Sequence, residues 1–372
     1  MSEFTLVDEI DSGVWSASTA DVEGRFLARR VADYHHRQAK DNAVLLELQH
    51  DSLARVLNHE NIVSLVGRVR DPGAGGDFFV WDYCDGGSLD TLLRWVRCES
   101  TLYHLPEALC WHVLRALVRA VAFLHDGKRL DGRRWTGDAA WSPILHRAIE
   151  PRNVFFQQPR GGEAFGPCKL GGFGDAAVTG HVMGGDGTWP CSVAATVQTG
   201  WEPLEETRPK IARDPEKWKT TQRAYTLSDE LWSVGSVVFT MMSGRRLALT
   251  CQSRGCVHVA KCSEGGCLRA AAELRGCRCV LGGCEHVPES RACTHDVSDW
   301  HQPEKRKQRC NEAVVNIDSW LALARYSCWL RDAVKALLDF DPHSKLLTAE
   351  AVPFAEQVEE GYRAWEEAAG AS

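Results

Sequence analysis

The residues with the most chemical character in this chain lie in one short stretch, ILHRAIEPRNVFF, at residues 144–156. An imidazole at His146 and a carboxamide at Asn153 stand at the spacing of an enzyme's catalytic loop. Two positions between them lack the expected chemistry. Ala148 has no proton acceptor, and Glu150 adds a negative charge that would repel an anionic substrate. The stretch therefore predicts a catalytic loop that has lost its reaction.

A second set of candidate ligands lies in a cysteine-rich segment, residues 250–311, which holds nine of the fifteen cysteines. The residues that could chelate zinc form three local pairs: Cys277 and Cys279, Cys284 and His286, and Cys293 and His295. Their spacing is irregular and contains no Cys-x-x-Cys pair, so it does not match a recognised zinc finger. A zinc ion would stabilise a loop that is too poor in apolar residues to fold unaided. The alternative is a thiol-bearing loop without metal.

The composition of the 372 residues limits the classes of function. Hydrophobic residues make up 44% and charged residues 25%, which is typical of a globular protein. The net charge of −7 gives no basic field, so we expect no nucleic-acid partner. The first residues, MSEFTLVDEI, lack the apolar core of a secretory signal, and no apolar run reaches the roughly 18 residues of a membrane span. We therefore expect an intracellular protein, cytoplasmic or nuclear, without membrane contact.

The elements that must position these residues change in character along the chain. Short apolar runs separated by Gly and Asp turns predict strands between Phe4 and Val80, interrupted by one helix over Asn42–Leu57. Ser88 is a suitable N-cap for a short helix. Longer helices are predicted over three further ranges: Leu105–His125, Ser228–Ser243 and Tyr326–Phe340.

A series of motifs resembles those of the protein kinase family, in the family's order and over nearly the whole chain. Residues 10–18 resemble the glycine-rich loop, 27–30 the Val-Ala-x-Lys strand, 58–63 the turn after the small lobe's helix, and 79–89 the hinge. Residues 146–153 resemble the catalytic loop, 169–174 the segment of Asp-Phe-Gly, 201–205 Ala-Pro-Glu, 228–235 the central helix and 337–342 the end of the large lobe. The sequence of residues 143–146 resembles that of the serine/threonine branch of the family, and within it that of fungal NIMA-like kinases.

The resemblance implies an α+β fold of two lobes, with a small β-rich N-lobe that carries one helix and a larger, mainly helical C-lobe. Residues 1–84 would form the N-lobe and hinge, and residues 85–365 the C-lobe. The cysteine-rich segment at 250–311 would interrupt the C-lobe as an insertion. His146 and Phe173 match two residues of the family's apolar spine, and we expect both of them in the core.

The same resemblance implies a degenerate nucleotide cleft. Its residues would be Gly13, Ala28, Arg30, Trp81, Tyr83 and Phe155. Gly13 is the one glycine left of three in its loop, Arg30 replaces the strand lysine, and Trp81 stands at the gatekeeper position, where it would narrow the pocket. Gly172 replaces the aspartate that would hold Mg²⁺, and the neutral Asn153 is not sufficient to hold a hard cation alone.

These replacements favour a pseudokinase that acts as a scaffold or allosteric partner of another protein, for example an active kinase. Two alternatives stay open. One is an atypical or weakly active serine/threonine kinase that moves its chemistry to other acids: Asp11, Glu47, Glu150, Asp175 or Glu202. The other is a zinc-stapled interaction module on a kinase scaffold. We expect no catalytic cofactor. Weak ATP binding without a metal ion and zinc binding by the cysteine-rich segment stay open.

Overall fold

The computed structural model describes residues 4–20, 25–31, 57–99, 105–132, 134–137, 141, 143–173, 176–178, 227–244, 249–251, 257–258, 313–315, 326–338 and 351–370. The predicted helix over 42–57 lies outside these residues, except for its last residue. So do the six proposed zinc ligands: Cys277, Cys279, Cys284, His286, Cys293 and His295.

The N-terminal part of the chain forms a five-stranded antiparallel sheet. Its strands are β1 (Phe4–Asp11), β2 (Val14–Thr19), β3 (Phe26–Arg30), β4 (Leu65–Asp71) and β5 (Gly76–Asp82). They lie in the order β1-β2-β3-β5-β4. The sheet curls until its two edge strands meet, and a Cβ at Gly67 would lie only 2.3 Å from the ring of Phe4. The curl encloses a small apolar cluster around Ala17, Ala28, Phe78 and Val80.

Five α-helices lie in the described remainder of the chain, together with one 3₁₀ turn at Pro151–Asn153. The α-helices are α1 (Leu89–Glu99), α2 (Glu107–Asp126), α3 (Leu227–Ser243), α4 (Cys328–Leu338) and α5 (Ala351–Gly370). Ser88 caps α1, since its Oγ accepts a hydrogen bond from the backbone N–H of Thr91 at 3.2 Å. By length and composition α2 could cross a bilayer, but most of it is buried against the other helices and it forms the centre of the core.

Short strands join the helices to the catalytic-loop region. They are β6 (Gly87–Ser88), β7 (Lys128–Asp131), β8 (Arg134–Gly137), β9 (Ile144–Leu145), β10 (Val154–Phe156), β11 (Cys168–Leu170) and β12 (Ala177–Val178). Strand β10 pairs with β11 and β6, and β9 pairs with β12. Strands β7 and β8 form a hairpin that was not predicted from the sequence. A further small sheet contains β13 (Leu249–Cys251), β14 (Val257–His258) and β15 (Ala313–Val315).

The predicted α+β architecture of two lobes is confirmed. The strands predicted within residues 4–80 and the helices predicted around α1, α2, α3 and α4 form close to their expected bounds. Helix α5 was not predicted. The division into residues 1–84 and 85–365, with an insertion at 250–311, stays a prediction.

Candidate functional site

His146 organises the catalytic-loop region from the interior of the protein. Its side chain is fully buried, and its ring packs edge-on against Phe173 with 4.7 Å between the ring centroids. The backbone N–H of Ala148 donates to His146 Nδ1 at 3.2 Å, and His146 Nε2 lies 2.8 Å from the carbonyl oxygen of Gly171. Because Nδ1 accepts, Nε2 carries the proton and donates to Gly171. Burial confirms the prediction that His146 and Phe173 are core residues.

A buried carboxylate anchors this loop to two helices. Glu230 of α3 accepts a hydrogen bond from the backbone N–H of Arg147 at 2.7 Å and lies 2.6 Å from His125 Nε2 of α2. The side chains of Glu230 and His125 are 0% and 2% exposed. Arg147 has a φ of 62°, a left-handed conformation that is unfavourable for a residue with a Cβ. The hydrogen bond to Glu230 helps to hold this loop conformation.

Ala148 and Glu150 fill the two positions that lack the expected chemistry. Ala148 is buried, and its methyl side chain cannot accept a proton. Glu150 is also buried, and its Oε1 lies 2.5 Å from Nε of Arg152, whose side chain is 61% exposed. The sequence suggested that Glu150 would repel a phosphate. In the structure its charge is paired with a neighbouring guanidinium, which reduces that repulsion.

Gly172 and Asn153 are in direct contact at the position expected to hold a metal ion. Gly172 has a φ of 79°, and a Cβ there would lie 2.3 Å from Asn153 Oδ1. The Asn153 side chain is fixed because its Nδ2 donates to the carbonyl oxygen of Ala148 at 2.8 Å. The backbone N–H of Gly171 donates to the Asn153 carbonyl oxygen at 2.8 Å. An aspartate at residue 172 would therefore need the Asn153 carboxamide to move from its hydrogen-bonded position.

The register of the small-lobe sheet corrects the expected position of the strand cation. Leu27 pairs with Trp81, whereas Ala28 pairs with Val80 and Arg30 with Phe78. Directly paired residues of antiparallel strands share a face, so Ala28 and Arg30 point away from the face of Trp81. Ala28 belongs to the enclosed cluster, and Arg30 Nη2 donates to the carbonyl oxygen of Ala74 at 3.1 Å.

Arg29 is the β3 cation that the register places on the face of Trp81. It pairs with Phe79 on β5 and with Val14 on β2. Both Phe79 and Trp81 pack against the main core rather than the enclosed cluster, which identifies their face as the one turned toward the C-lobe. The register therefore places Arg29, and not Ala28 or Arg30, on the face of Trp81, since a shift of one residue exchanges the two faces. Which residues line a nucleotide cleft stays a prediction.

Tyr83 and Phe155 lie near the hinge end of the same region. The Tyr83 carbonyl oxygen accepts a hydrogen bond from Gln157 Nε2 at 3.1 Å, and the Tyr83 side chain is 37% exposed. Phe155 pairs with Ser88 across β10 and β6. A Cβ at Gly171 would lie 3.0 Å from the Phe155 ring. Phe155 therefore covers the backbone that leads to residue 172.

The tip of the β1–β2 hairpin carries Gly13 in a turn of two residues. Gly13 is buried and has a φ of 72°. Its backbone N–H donates to Glu9 Oε1 at 3.2 Å, and the N–H of Ser12 donates to Asp11 Oδ1 at 2.7 Å. The two tip amides are thus already bonded to carboxylates of the same hairpin. Glu9 was missed in the sequence, because nothing in its spacing distinguishes it from an ordinary exposed strand residue.

Lys169 and Asp82 join the two lobes behind the hinge. Lys169 Nζ lies 3.0 Å from Asp82 Oδ2 and 3.4 Å from the carbonyl oxygen of Ile62. The backbone N–H of Ser64 donates to the same Asp82 oxygen at 3.1 Å. Next to this pair, Leu170 exchanges backbone hydrogen bonds with Asn61 and Val63. The hinge, the turn before β4 and β11 therefore form one connected unit.

Replacing Lys169 with methionine is expected to lower the free energy of unfolding by about 1.5–3 kcal/mol, because a charged hydrogen bond is lost in a largely buried place. The Lys169 and Asp82 side chains are 11% and 20% exposed. Urea denaturation measures the change. Arg94→Met is the matched control, since the Arg94–Asp90 pair has its guanidinium 57% exposed and should contribute below about 1 kcal/mol. Equal losses in both variants would contradict the role of Lys169.

His59, in the turn before β4, gives the stability a predictable pH dependence. Burial, with the charges of Arg129, Arg119 and Lys169, lowers the pKa of His59 from 6.5 to about 3. The unfolded chain takes up a proton near pH 6.5 and the folded chain does not, so the stability present at neutral pH falls as the pH drops from 6.5 toward 3. At pH 5 this term reaches about 2 kcal/mol.

The variant His59→Asn should show a flatter decrease of stability between pH 6.5 and 4. Asparagine keeps an acceptor for the N–H of Asn61, which donates to His59 Nδ1 at 3.0 Å, but it does not titrate. Chemical denaturation at each pH gives the two curves. Parallel curves for wild type and variant would show that His59 does not cause the dependence.

Several predicted residues cannot be placed in this site. Glu47, Asp175 and Glu202, proposed as alternative catalytic acids, lie outside the described residues, as do the proposed zinc ligands. Within the part of the chain that is described, no group of three or more His, Cys, Asp or Glu side chains could hold a metal ion. Burial raises the pKa of the Cys84 and Cys110 thiols to about 12, so neither is a good metal ligand or nucleophile at neutral pH.

Comparison with known proteins places this geometry in a family. The family model described as "Protein kinase domain" matches residues 11–352. The chain is 28% identical over 166 residues to the probable serine/threonine-protein kinase nek2 of Dictyostelium discoideum, covering 45% of this chain and 34% of that protein. It is 28% identical over 159 residues to the mouse kinase Nek2, covering 43% of this chain and 31% of that protein. The chain thus spans about a third of the length of these curated relatives.

A solved structure with the same fold is the CAK complex of Chaetomium thermophilum bound to ATP-γ-S. It is 16% identical, has a TM-score of 0.55 and covers 97% of this chain and 91% of that chain. The likeness supports the fold alone. The Nek2 names agree with the serine/threonine branch that the motifs resemble, and in part with its NIMA-like members.

Proposed function

This chain belongs to the protein kinase family, and we propose that it is a pseudokinase, which acts by binding another protein rather than by transferring phosphate. The contact between Gly172 and Asn153 carries this proposal. Phosphoryl transfer by this fold depends on metal ions that neutralise the phosphates. The carboxylate that would hold the metal is replaced by a glycine, and the Asn153 carboxamide occupies the space that a Cβ at residue 172 would take.

The residues present do not fit a catalytic magnesium ion. Mg²⁺ binds through carboxylates and keeps a strict octahedral geometry. Around residue 172 the described side chains offer one neutral carboxamide, Asn153, and its Nδ2 is already bonded to the loop backbone. The nearest carboxylate along the loop, Glu150, is buried and paired with Arg152. The described residues around Gly172 therefore do not offer the carboxylates that a catalytic magnesium ion requires.

The loop also lacks a proton acceptor for a substrate hydroxyl. Ala148 stands where a carboxylate would accept the proton, and the absence of a positioned base alone reduces a rate by about 10²–10⁴-fold. Arg29 supplies a cation on the cleft side of β3, but a cation without metal or base can only bind an anion. What remains is a binding surface.

The contacts that keep the fold rigid are present, whereas the carboxylates that would bind a metal ion and accept a proton are replaced. His146 packs on Phe173, Glu230 anchors the loop, and Lys169 joins the lobes. A rigid fold without its chemistry suits a scaffold or an allosteric partner, because binding requires shape and surface but no proton transfer. An active kinase is one kind of partner that we propose for such a scaffold.

A turnover assay tests the catalytic half of the proposal. Purified full chain is incubated with γ-³²P-labelled ATP, Mg²⁺ or Mn²⁺ and a generic protein substrate, with an active serine/threonine kinase as the positive control. We expect no transfer above the background without enzyme. Transfer that disappears on Glu150→Gln or Asp11→Asn would overturn the proposal and favour the alternative of an atypical serine/threonine kinase.

The binding half is tested by reconstitution. A protein that co-purifies with the full chain from its native cell should form a complex of fixed stoichiometry again when both are purified separately, as measured by light scattering after gel filtration. Adding ATP, ADP or EDTA should leave the complex intact. The alternative of a zinc-stapled module predicts dissociation on chelation, with zinc present in the purified chain by metal analysis.

A further inference from the structure

The β7–β8 hairpin has one packed face and one face turned to solvent. Leu130 pairs with Trp135, and both residues are half-buried, with Trp135 packed against the main core. The other face carries four exposed residues in two cross-strand pairs: Arg129 with Thr136, and Asp131 with Arg134. Directly paired residues share a face, and so do alternate residues of one strand, so the Thr136 hydroxyl shares its exposed face with two arginines.

The strand that carries Thr136 is open along one edge. Among the described strands, β8 pairs with β7 alone, so the backbone N–H and C=O groups of its outer edge have no strand beside them there. An extended segment with an open edge is a form in which a protein groove binds a peptide. The hydroxyl of Thr136 is therefore accessible in a conformation that a modifying enzyme can bind.

The residues before Thr136 give this segment a distinct charge pattern. The sequence reads Arg133-Arg134-Trp135-Thr136, and nowhere else in the 372 residues do two consecutive arginines stand three and two positions before a serine or threonine. The planar guanidinium of arginine pairs with carboxylates through two parallel hydrogen bonds, so acidic pockets beside an enzyme's cleft select such a segment. We propose that Thr136 is a phosphorylation site for a serine/threonine kinase that selects arginines at these two positions.

The modification is a transfer of phosphate from ATP that is bound to the modifying kinase. Thr136 Oγ1 forms a bond to the γ-phosphorus while the bond from that phosphorus to the β–γ bridging oxygen breaks. ADP leaves, and the hydroxyl proton passes to the base of the modifying kinase. The product carries a charge of about −1.5 to −2 at neutral pH. The inference does not depend on whether this chain itself transfers phosphate.

Arg129 gives the phosphate a partner that also contacts the rest of the fold. Its guanidinium lies over the Phe123 ring, 4.4 Å from the centroid, and donates to the carbonyl oxygen of Asn58. The Cβ atoms of the directly paired Arg129 and Thr136 are about 5 Å apart, within reach of a phosphate on the threonine. A charged acceptor binds a guanidinium more strongly than a neutral carbonyl does, so the phosphate competes with Asn58 for Arg129. Phosphorylation would thus act on the turn before β4, which contains His59.

Phosphorylation of the purified full chain tests the site. The chain is incubated with labelled ATP, Mg²⁺ and a kinase whose substrates carry arginines two and three residues before the hydroxyl, and the phosphate is located by mass spectrometry. We expect phosphate on Thr136 in the wild type and none at this position in Thr136→Ala. Thr136→Ser keeps a hydroxyl and should keep the transfer. Arg134→Ala should slow it at least about tenfold, because a charge-assisted pair with the enzyme is lost.

Thr5 provides the matched control. It is an exposed threonine on β1, an end strand of its sheet, but Glu3 stands two residues before it and no arginine precedes it. Thr5→Ala should leave the transfer unchanged. A folded wild type without phosphate on Thr136, or equal total labelling in Thr136→Ala and wild type, would overturn the inference. Labelling without any added kinase would overturn the proposed function alone.

Phosphorus NMR of the modified chain tests the contact with Arg129. Two guanidiniums favour the doubly charged phosphate, so the second pKa of the phosphothreonine should lie below its usual value of about 6. Arg129→Met should raise this pKa toward 6 without the slower transfer of Arg134→Ala, since residue 129 is not one of the two arginines that precede the hydroxyl. The same phosphate pKa in wild type and Arg129→Met would overturn the contact between the phosphate and Arg129.

Discussion

Replacing Gly172 with aspartate is expected to destabilise the fold by about 2–5 kcal/mol and to restore no phosphoryl transfer, even when combined with Ala148→Asp. The first part of the loss, about 1–2 kcal/mol, comes from a side chain at a φ of 79°. The second part, about 1–3 kcal/mol, comes from the 2.3 Å approach of its Cβ to Asn153 Oδ1. Restoring the two expected carboxylates therefore distorts the loop that should position them.

Urea denaturation and the labelled-ATP assay measure the two outcomes. Gly161→Asp is the matched control for the backbone term, since Gly161 has a φ of 63° and a Cβ there meets no atom within 4 Å. In an Asn153→Ala background the cost of Gly172→Asp should fall toward that of the control, because the clash is removed. A stable Gly172→Asp/Ala148→Asp variant that transfers phosphate would contradict this interpretation of the cleft.

Replacing Glu230 with alanine is expected to lower the free energy of unfolding by about 3–5 kcal/mol, the usual cost of removing one partner from a buried charged network. The carboxylate is 0% exposed and connects the N–H of Arg147 with His125. Without it, His125 loses its acceptor and the left-handed backbone at Arg147 loses a hydrogen bond that holds it. The loop between β9 and β10 should then open locally.

Denaturation gives the stability, and amide hydrogen exchange at residues 146–153 gives the local opening. Glu230→Gln is the control that keeps the size and an acceptor for the Arg147 N–H, so it should lose less than the alanine variant and keep slower exchange. A loss below about 1 kcal/mol in Glu230→Ala, or exchange at the loop unchanged, would show that the anchor does not hold the loop in place.

The order of the motifs was sufficient to predict the fold. The residues that build the fold are present in these motifs, whereas several of the residues that would carry out catalysis are replaced. Helices α2 to α4 follow from apolar residues at helical spacing, and α1 follows from its N-cap Ser88. His146 and Phe173 follow from their places in two motifs. Helix α5 was missed because its buried face is narrow: only Ala351, Ala355 and Val358 are fully enclosed.

The cleft face of β3 could not be predicted from the sequence alone. In Leu27-Ala28-Arg29-Arg30 an alanine is followed by two arginines, and each arginine gives an acceptable match to the strand motif. Only the pairing of Leu27 with Trp81 decides between them. Since side chains alternate between faces, a shift of one residue puts Arg29 rather than Arg30 on the face of Trp81.

Contacts between residues far apart in the sequence could not be predicted from the sequence either. Glu230 lies 83 residues from Arg147, and Lys169 lies 87 residues from Asp82. Each looks like an ordinary charged residue until the fold brings its partner near. The replacement of the metal-binding aspartate by Gly172 could be read directly from the motif, but its contact with Asn153 required the backbone conformation.

A thermal-shift titration of the wild-type chain with ATP, with and without Mg²⁺, tests most directly the proposal that the chain lacks a catalytic metal site. We predict that Mg²⁺ produces no additional stabilisation at any ATP concentration, because Gly172 and Asn153 offer it no carboxylate. A ligand at 100 times its Kd stabilises a protein by about 2.7 kcal/mol, a shift that is easily measured. A saturable rise in Tm that requires both ATP and Mg²⁺ would contradict the pseudokinase interpretation.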